Sequence, residues 1–264
     1  MAGQSLLSAM GGVLVVFLIA PLLGLVTATS FGDFVAGLRH PLVWPALRLS
    51  LITTSASLLF VVVFGTPLSW TLARANGRFI RAVEVLTNLP AVIPPAVAGI
   101  ALLLAFGRRG LLAGWLYPRG WSVAFTTLAV IMAEIFISAP FFVQAATSAF
   151  RRLDGNCLVV ARTLGASPLR IFFRIGLPMA TPSLLAGAAM SWARARGEFG
   201  ATLMFAGNFT GKTQTLPLAI YTALESNLCA AQALSLLLVV VAFAVLLFVR
   251  VVLARTTADE MREY

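Results

Sequence analysis

Four ionisable residues stand inside long apolar runs of this chain: Glu134 in one run, and Arg194, Arg196 and Glu198 together in another. A charge at such depth in hydrocarbon costs about 3 kcal/mol or more unless it faces protein, water or a partner, so residues of this kind mark solute pathways and buried pairs. Arg194 and Glu198 are one helical turn apart and share a face, whereas Arg196 is turned roughly 200° from Arg194. Two readings stay open for the pair: an ion pair that only fixes helix packing, or a polar lining for a permeating anion.

A second group with chemical consequences is Leu89-Pro90-Ala91-Val92-Ile93-Pro94-Pro95, with Gly99 beyond it. Each proline removes a backbone donor and pushes the preceding residue off helical geometry. In a membrane such a break survives only where protein or a water-filled cavity covers the freed carbonyls. Pro90, Pro94 and Pro95 therefore read as a pathway wall or flexing element, or else as a plain kink between packed helices.

The elements that must position these residues are long helices. Of 264 residues, 60% are hydrophobic and 11% charged, which excludes an ordinary soluble or disordered protein. Apolar runs fall near 10–29, 47–73, 84–106, 122–146, 181–206 and 230–252. Each is long enough to cross a core of about 30 Å at about 1.5 Å per residue. The expected fold is an all-α integral membrane protein of about six transmembrane helices in a single domain, 1–264. No Lys or Arg precedes the first run, which is too long for a cleaved signal, so it should stay as a helix.

Of the 19 cations 18 are Arg, and they lie dispersed between the apolar runs, which argues against nucleic-acid binding and for orientation signals. With both termini in the cytoplasm, the inner face receives Arg74, Arg78, Arg81, Arg151, Arg152, Arg162, Arg170, Arg174, Arg250, Arg255 and Arg262. The outer face receives Arg39, Arg108, Arg109, Arg119 and Lys212, with Arg48 near a boundary. Cys157 then lies inside and Cys229 outside, so no intrachain disulfide is expected. With those two Cys and one His, His40, there is no ligand set for a metal or haem, and no cofactor is expected.

The longest inner connection, Arg151 to about Pro178, reads as two short helices. The first, Asn156 to Leu164, stops at Gly165 as a left-handed cap. The second has Ser167 as N-cap and Pro168 at its first position, shows an apolar face of Leu169, Phe172 and Phe173 beside Arg170 and Arg174, and ends at Pro178. Such a helix can lie on a membrane or dock into a groove on a soluble partner. The apolar Leu158 and Val159 lead us to expect docking that leans on shape, with Arg162 or Arg170 for polar contacts.

Ala161, Gly165, Ile175, Leu177 and Pro178 carry a resemblance to the permease subunits of ATP-binding-cassette importers, whose cytoplasmic loop has Ala, Gly, Ile and Leu-Pro at this spacing; Val159 and Val160 stand where that family has Glu-Ala. A narrower resemblance, to molybdate and tungstate permeases and next to sulfate permeases, rests on several segments. They are Leu89-Pro90 through Pro94-Pro95 and Gly99, Ala105 to Arg108, Ala161 to Ala166, Gly197-Glu198-Phe199-Gly200-Ala201-Thr202, Gly211-Lys212-Thr213 and Thr215 to Tyr221. Arg196 departs from the pattern, which is apolar there.

The resemblance implies a homodimer of the permease in the inner membrane, two cytoplasmic ATPase chains and an extracytoplasmic molybdate- or tungstate-binding protein. This chain would itself be no enzyme. It implies a coupling-helix segment between helices 4 and 5, at Ala161, Arg162, Gly165, Ser167, Pro168, Arg170, Ile175, Leu177 and Pro178, and a pathway that involves Pro90, Pro94, Pro95, Arg194, Glu198 and Thr202. Sulfate or thiosulfate is the nearest rival substrate. An ion-coupled carrier without an ATPase is the rival of another class, but it would usually show an internal repeat and more intramembrane carboxylates.

Ala206 to Thr213 meets the loose form of a phosphate-binding loop, yet it follows an apolar helix and would land on the outer face, so nucleotide binding is not expected. His40 has no His, Cys or carboxylate nearby to act with and reads as an interfacial residue.

Overall fold

The computed structural model describes residues 2–260, so Arg262 lies outside the described residues, as do the side chains of Arg250 and Arg255. Among the described residues every regular element is helical. In chain order they are α1 Ala2–Ala28, α2 Phe31–Leu38, α3 Val43–Arg74, α4 Arg78–Asn88, α5 Pro95–Phe106, α6 Ala113–Leu116 and α7 Thr127–Arg151. Then come α8 Gly155–Thr163, α9 Pro168–Ile171, α10 Leu177–Arg196, α11 Gly200–Ala206, α12 Leu216–Ser226 and α13 Leu228–Glu260. Five stretches are long and apolar enough to cross a membrane, and the pair Arg78–Ala91 with Pro95–Phe106, bent by 115°, makes a sixth when counted as one broken span.

The bend follows from the prolines. Leu89–Ala91 is a tight 3-10 turn, and Pro94 takes ψ 135° because its successor is also a proline. Helix resumes at once, with Ala98 N–H donating to the Pro94 carbonyl at 3.1 Å. Pro95 fits the first helical position, where its missing N–H costs nothing.

α3, α7 and α10 form the centre, around Val61, Leu72, Phe142, Val143, Ala146, Phe150 and Ala180. A second cluster joins α5, α7 and α11 through Ala98, Leu102, Ala133, Ile137, Ala201 and Phe205. Lipid tails are as apolar as these side chains, so the bundle is held by close packing of small residues and by polar contacts, not by exclusion of water. Thr53 on α3 donates to Glu134 Oε1 on α7 at 2.8 Å, and Ser191 on α10 donates to the Ser138 carbonyl at 3.1 Å.

The two ends of the bundle are distinct. At one, Arg74 Nη2 donates to the Phe150 carbonyl at 2.8 Å and Arg151 pairs with Glu84 at 2.9 Å, which ties the ends of α3, α4 and α7 together. At the other, Thr127 Oγ1 donates to the Lys212 carbonyl at 2.8 Å and Leu216 N–H donates to Ser50 Oγ at 2.8 Å. Cys157 follows the C-terminus of α7 and Lys212 touches its N-terminus, so they occupy opposite ends of a helix about 37 Å long at 1.5 Å per residue.

Two expectations are corrected. The run 181–206 is not one helix: α10 stops at Arg196 and α11 starts at Gly200. The Glu198 carboxylate accepts from Ala201 N–H at 2.8 Å, and a side chain that offers the backbone such an acceptor competes with helix continuation beside Gly197 and Gly200. Nor does Pro178 end the second loop helix. The chain passes from α9 through a π turn, Phe172–Gly176, directly into α10, with Leu177 N–H donating to the Phe172 carbonyl. The wider turn makes room for a proline ring that would otherwise press on the carbonyl one turn back.

Candidate functional site

Two breaks meet inside the bundle. Gly200, at the start of α11, faces Pro95 and Ala96 at the start of α5, so that a Cβ there would lie 3.0 Å from Pro95 Cβ and 3.2 Å from Ala96 N. One turn further on, Gly99 lies against Ala201, where an added Cβ would sit 2.7 Å from the Ala201 carbonyl oxygen. The glycines of both breaks thus let two half-helices cross at backbone contact. Pro95 belongs to this junction. Pro90 does not, because its turn packs on α7, where Gln144 also reaches Asn88 at 2.9 Å.

Arg194 and Glu198 are joined, with Arg194 Nη1 2.9 Å from Glu198 Oε2. Glu198 is 1% exposed and Arg194 30%, so the acid is enclosed while the cation keeps one side open. Glu198 has two tasks, capping α11 and holding Arg194 across the break. Thr202, one turn on, is fully buried in the α11 packing, and its hydroxyl has no hydrogen-bond partner among the described residues.

Arg196 points the other way, as its spacing implies. It stacks over Trp192, 5.0 Å from the ring centroid, and its Nη2 donates to the Leu238 carbonyl on α13 at 2.6 Å. It therefore anchors the last span, away from the pair. The partner of Glu134, Thr53, was missed in the sequence, although Ser50, Thr53, Thr54 and Ser57 form a polar stripe on an apolar helix that marks it.

The loop after α7 has its own small core of Leu158, Ala161 and Ile171, against which Trp70, Ala166 and Ile175 pack. Leu158 is therefore not on the docking surface, a correction that follows from the hairpin geometry: α8 and α9 fold back on each other and need an inward face. Ala161 is in that core, and Ile175 and Leu177 are half-buried. Val159, Val160, Leu164 and Leu169 are exposed, with Arg162, Arg170, Ser167, Pro168 and Pro178 also outward. Gly165 has φ 78°, and Ala166 N–H donates to the Ala161 carbonyl while Gly165 N–H donates to that of Arg162, both at 3.0 Å. This is a Schellman cap. Ser167 Oγ accepts from Arg170 N–H at 3.3 Å and starts α9.

The Ala206 to Thr213 segment begins on the last residue of α11 and ends two residues before α12, with no strand before it among the described residues. The Thr213 hydroxyl accepts from Phe209 N–H at 2.9 Å and donates to the Gly207 carbonyl at 3.2 Å, so it is spent inside the loop.

Residues 65–258 match the family described as binding-protein-dependent transport system inner membrane component. The chain is 44% identical over 233 residues to the molybdenum transport system permease protein ModB of Mycobacterium tuberculosis, covering 88% of each chain. It is 39% identical over 203 residues to the molybdate/tungstate transport system permease protein WtpB of Pyrococcus abyssi, covering 76% of this chain and 77% of that one. Its fold is similar to that of a chain of a bacterial ABC transporter involved in alginate import, with a TM-score of 0.77, 18% identity and 96% of each chain covered.

Proposed function

Because the chain belongs to the molybdenum transport permeases within the family of binding-protein-dependent inner-membrane transport components, we propose that it passes molybdate or tungstate into the cytoplasm. The observation that carries this reading is the 44% identity to a molybdenum permease over 88% of the chain, joined to a partly exposed arginine at a broken span. In this reading two copies form the pathway, an external binding protein delivers the anion, and two ATPase chains grip the segment from Ala161 to Pro178. Their closure moves α8 and α9, and the continuous helix from α9 into α10 carries the movement to Arg194, one rigid unit tilting against another. Arg194 attracts the dianion, and Glu198 keeps that attraction weak enough for release. Uptake of labelled molybdate by cells that express the chain with its ATPase and binding protein tests the substrate. Uptake that excess sulfate abolishes and excess tungstate leaves untouched would reject it.

Orientation has its own test. Cys157 is exposed, as is Lys212 at the opposite end of the bundle. The Arg and Lys bias predicts that Cys157 reacts with a membrane-impermeant thiol reagent only from the cytoplasm, and that Lys212→Cys reacts only from outside. Reversed sidedness at both sites would turn the permease over and move the ATPase contact elsewhere.

Coupling is tested at Gly165. A Cβ added there meets nothing within 4 Å, so Gly165→Val acts through φ 78° alone. Left-handed geometry costs an L-residue about 1–2 kcal/mol, more with a branched Cβ, and asparagine less. Gly165→Val is expected to insert normally and to lower transport-coupled ATP hydrolysis several-fold, with Gly165→Asn close to wild type. Full coupling in the valine variant would remove this cap from the mechanism.

A further inference from the structure

A groove of about 490 Å³ opens between the last turns of α3 and the α9 to π-turn segment, walled by Val63, Thr66, Trp70, Leu169, Phe173 and Leu177 among others. Its two hydroxyls are already committed. Thr66 Oγ1 donates to the Val62 carbonyl at 2.6 Å and Thr71 Oγ1 to the Pro67 carbonyl at 2.9 Å, so neither hydroxyl proton is left for a polar occupant. The α3 wall belongs to a membrane span and continues onto an apolar surface where Phe60, Val63 and Phe64 are about half exposed or more. An acyl chain can enter from that side without crossing water.

Two cations stand next to its lining in sequence. Arg170 and Arg174 each follow a groove residue by one position, both are exposed, and neither pairs with a carboxylate among the described residues. Arginine reaches toward the interface from an apolar base, and cations at a membrane surface favour anionic lipids. α1, the other long exposed apolar helix, carries no charged residue and so offers these arginines no counter-charge.

We propose that the groove holds an acyl chain of an anionic phospholipid, its phosphate against Arg170 and Arg174. The lipid then wedges the α9 segment against Trp70, which packs edge-on to both Phe150 and Phe172 at 5.2 and 5.3 Å. The occupied groove steadies the joint between the loop and α10, whichever anion the permease carries.

The test uses the full chain with Trp44, Trp115, Trp121 and Trp192 changed to Phe, leaving Trp70, in phosphatidylcholine vesicles that contain a minor share of phosphatidylglycerol. Bromine is placed on the acyl chains of one lipid or the other. Trp70 emission should be quenched preferentially by brominated phosphatidylglycerol, and Arg174→Gln should reduce that preference about fivefold, the factor expected for one arginine at an anionic surface. Equal quenching by both lipids would mean ordinary boundary lipid, and no quenching by either would mean that protein, such as a second copy, fills the groove; each result overturns the proposal. Should the single-Trp chain fail to fold, native mass spectrometry of the wild type gives the same decision. One phosphatidylglycerol should survive detergent exchange and be lost in Arg174→Gln, and a lipid-free wild-type chain sinks the idea. Neither readout requires transport, so failure here leaves the oxyanion reading untouched.

Discussion

Gly99→Val is expected to be the most damaging single substitution at the crossing of the two broken spans. The added Cβ would lie 2.7 Å from the Ala201 carbonyl oxygen, 2.8 Å from Ala201 Cα and 2.7 Å from Met204 Cβ. Two of those atoms are backbone, so relief requires α5 and α11 to move apart, which opens the contact between Gly200 and Pro95 as well. Overpacking of this kind costs about 3 kcal/mol, near the upper end of its usual range. The expected readout is a clear drop in the melting temperature of the purified protein, together with loss of uptake. Gly114→Ala serves as the control, since nothing lies within 4 Å of its Cβ, and should melt as wild type. A Gly99→Val protein that melts and transports normally would show that the half-helices are not in backbone contact.

Arg194→Ala is expected to lower stability by about 2 kcal/mol and to slow molybdate uptake. Removing one partner of a buried pair costs about 3–5 kcal/mol, and the open side of Arg194 reduces that figure because water already screens part of the charge. The second variant must respect the cap: Glu198 Oε1 accepts from Ala201 N–H at 2.8 Å, so Arg194→Leu is combined with Glu198→Gln, which keeps an acceptor for that donor. The double variant should recover most of the stability, because no lone buried charge remains. Melting curves and uptake then separate the two roles. If uptake returns along with stability, the pair is packing only, and the anion must pass along hydroxyls and the backbone near Pro94; if stability returns and uptake does not, Arg194 guides the anion.

Much of the molecule was legible in the sequence. Apolar runs of spanning length, broken by arginines, have few ways to satisfy their backbone in lipid, so the helical class and about six spans follow from composition and period alone. The same is true of local caps: Gly165 and Ser167 act on neighbours within five positions, and both took the geometry their types demand. The Arg194 to Glu198 pair was also within reach, because one helical turn of spacing survives the small distortion at Gly197.

What the tertiary structure alone decided are matters of who lies opposite whom. Pro178 sits at a position where proline usually stops a helix, yet a π turn carries the chain through, since packing of Phe172 and Gly176 against Trp70 rewards continuity more than regular spacing. Glu198 ends α10 and starts α11 because its carboxylate reaches Ala201 N–H in a dry interior, where such an acceptor counts for more than it would in water. Leu158 looked outward in a linear reading and turned inward once α8 met α9. The meeting of Gly99 with Ala201 and of Gly200 with Pro95 joins segments some hundred positions apart. Periodicity describes one helix at a time, and it carries no information about which small residues of two helices will touch; that is settled by close packing in a medium that gives apolar surfaces no other reason to choose.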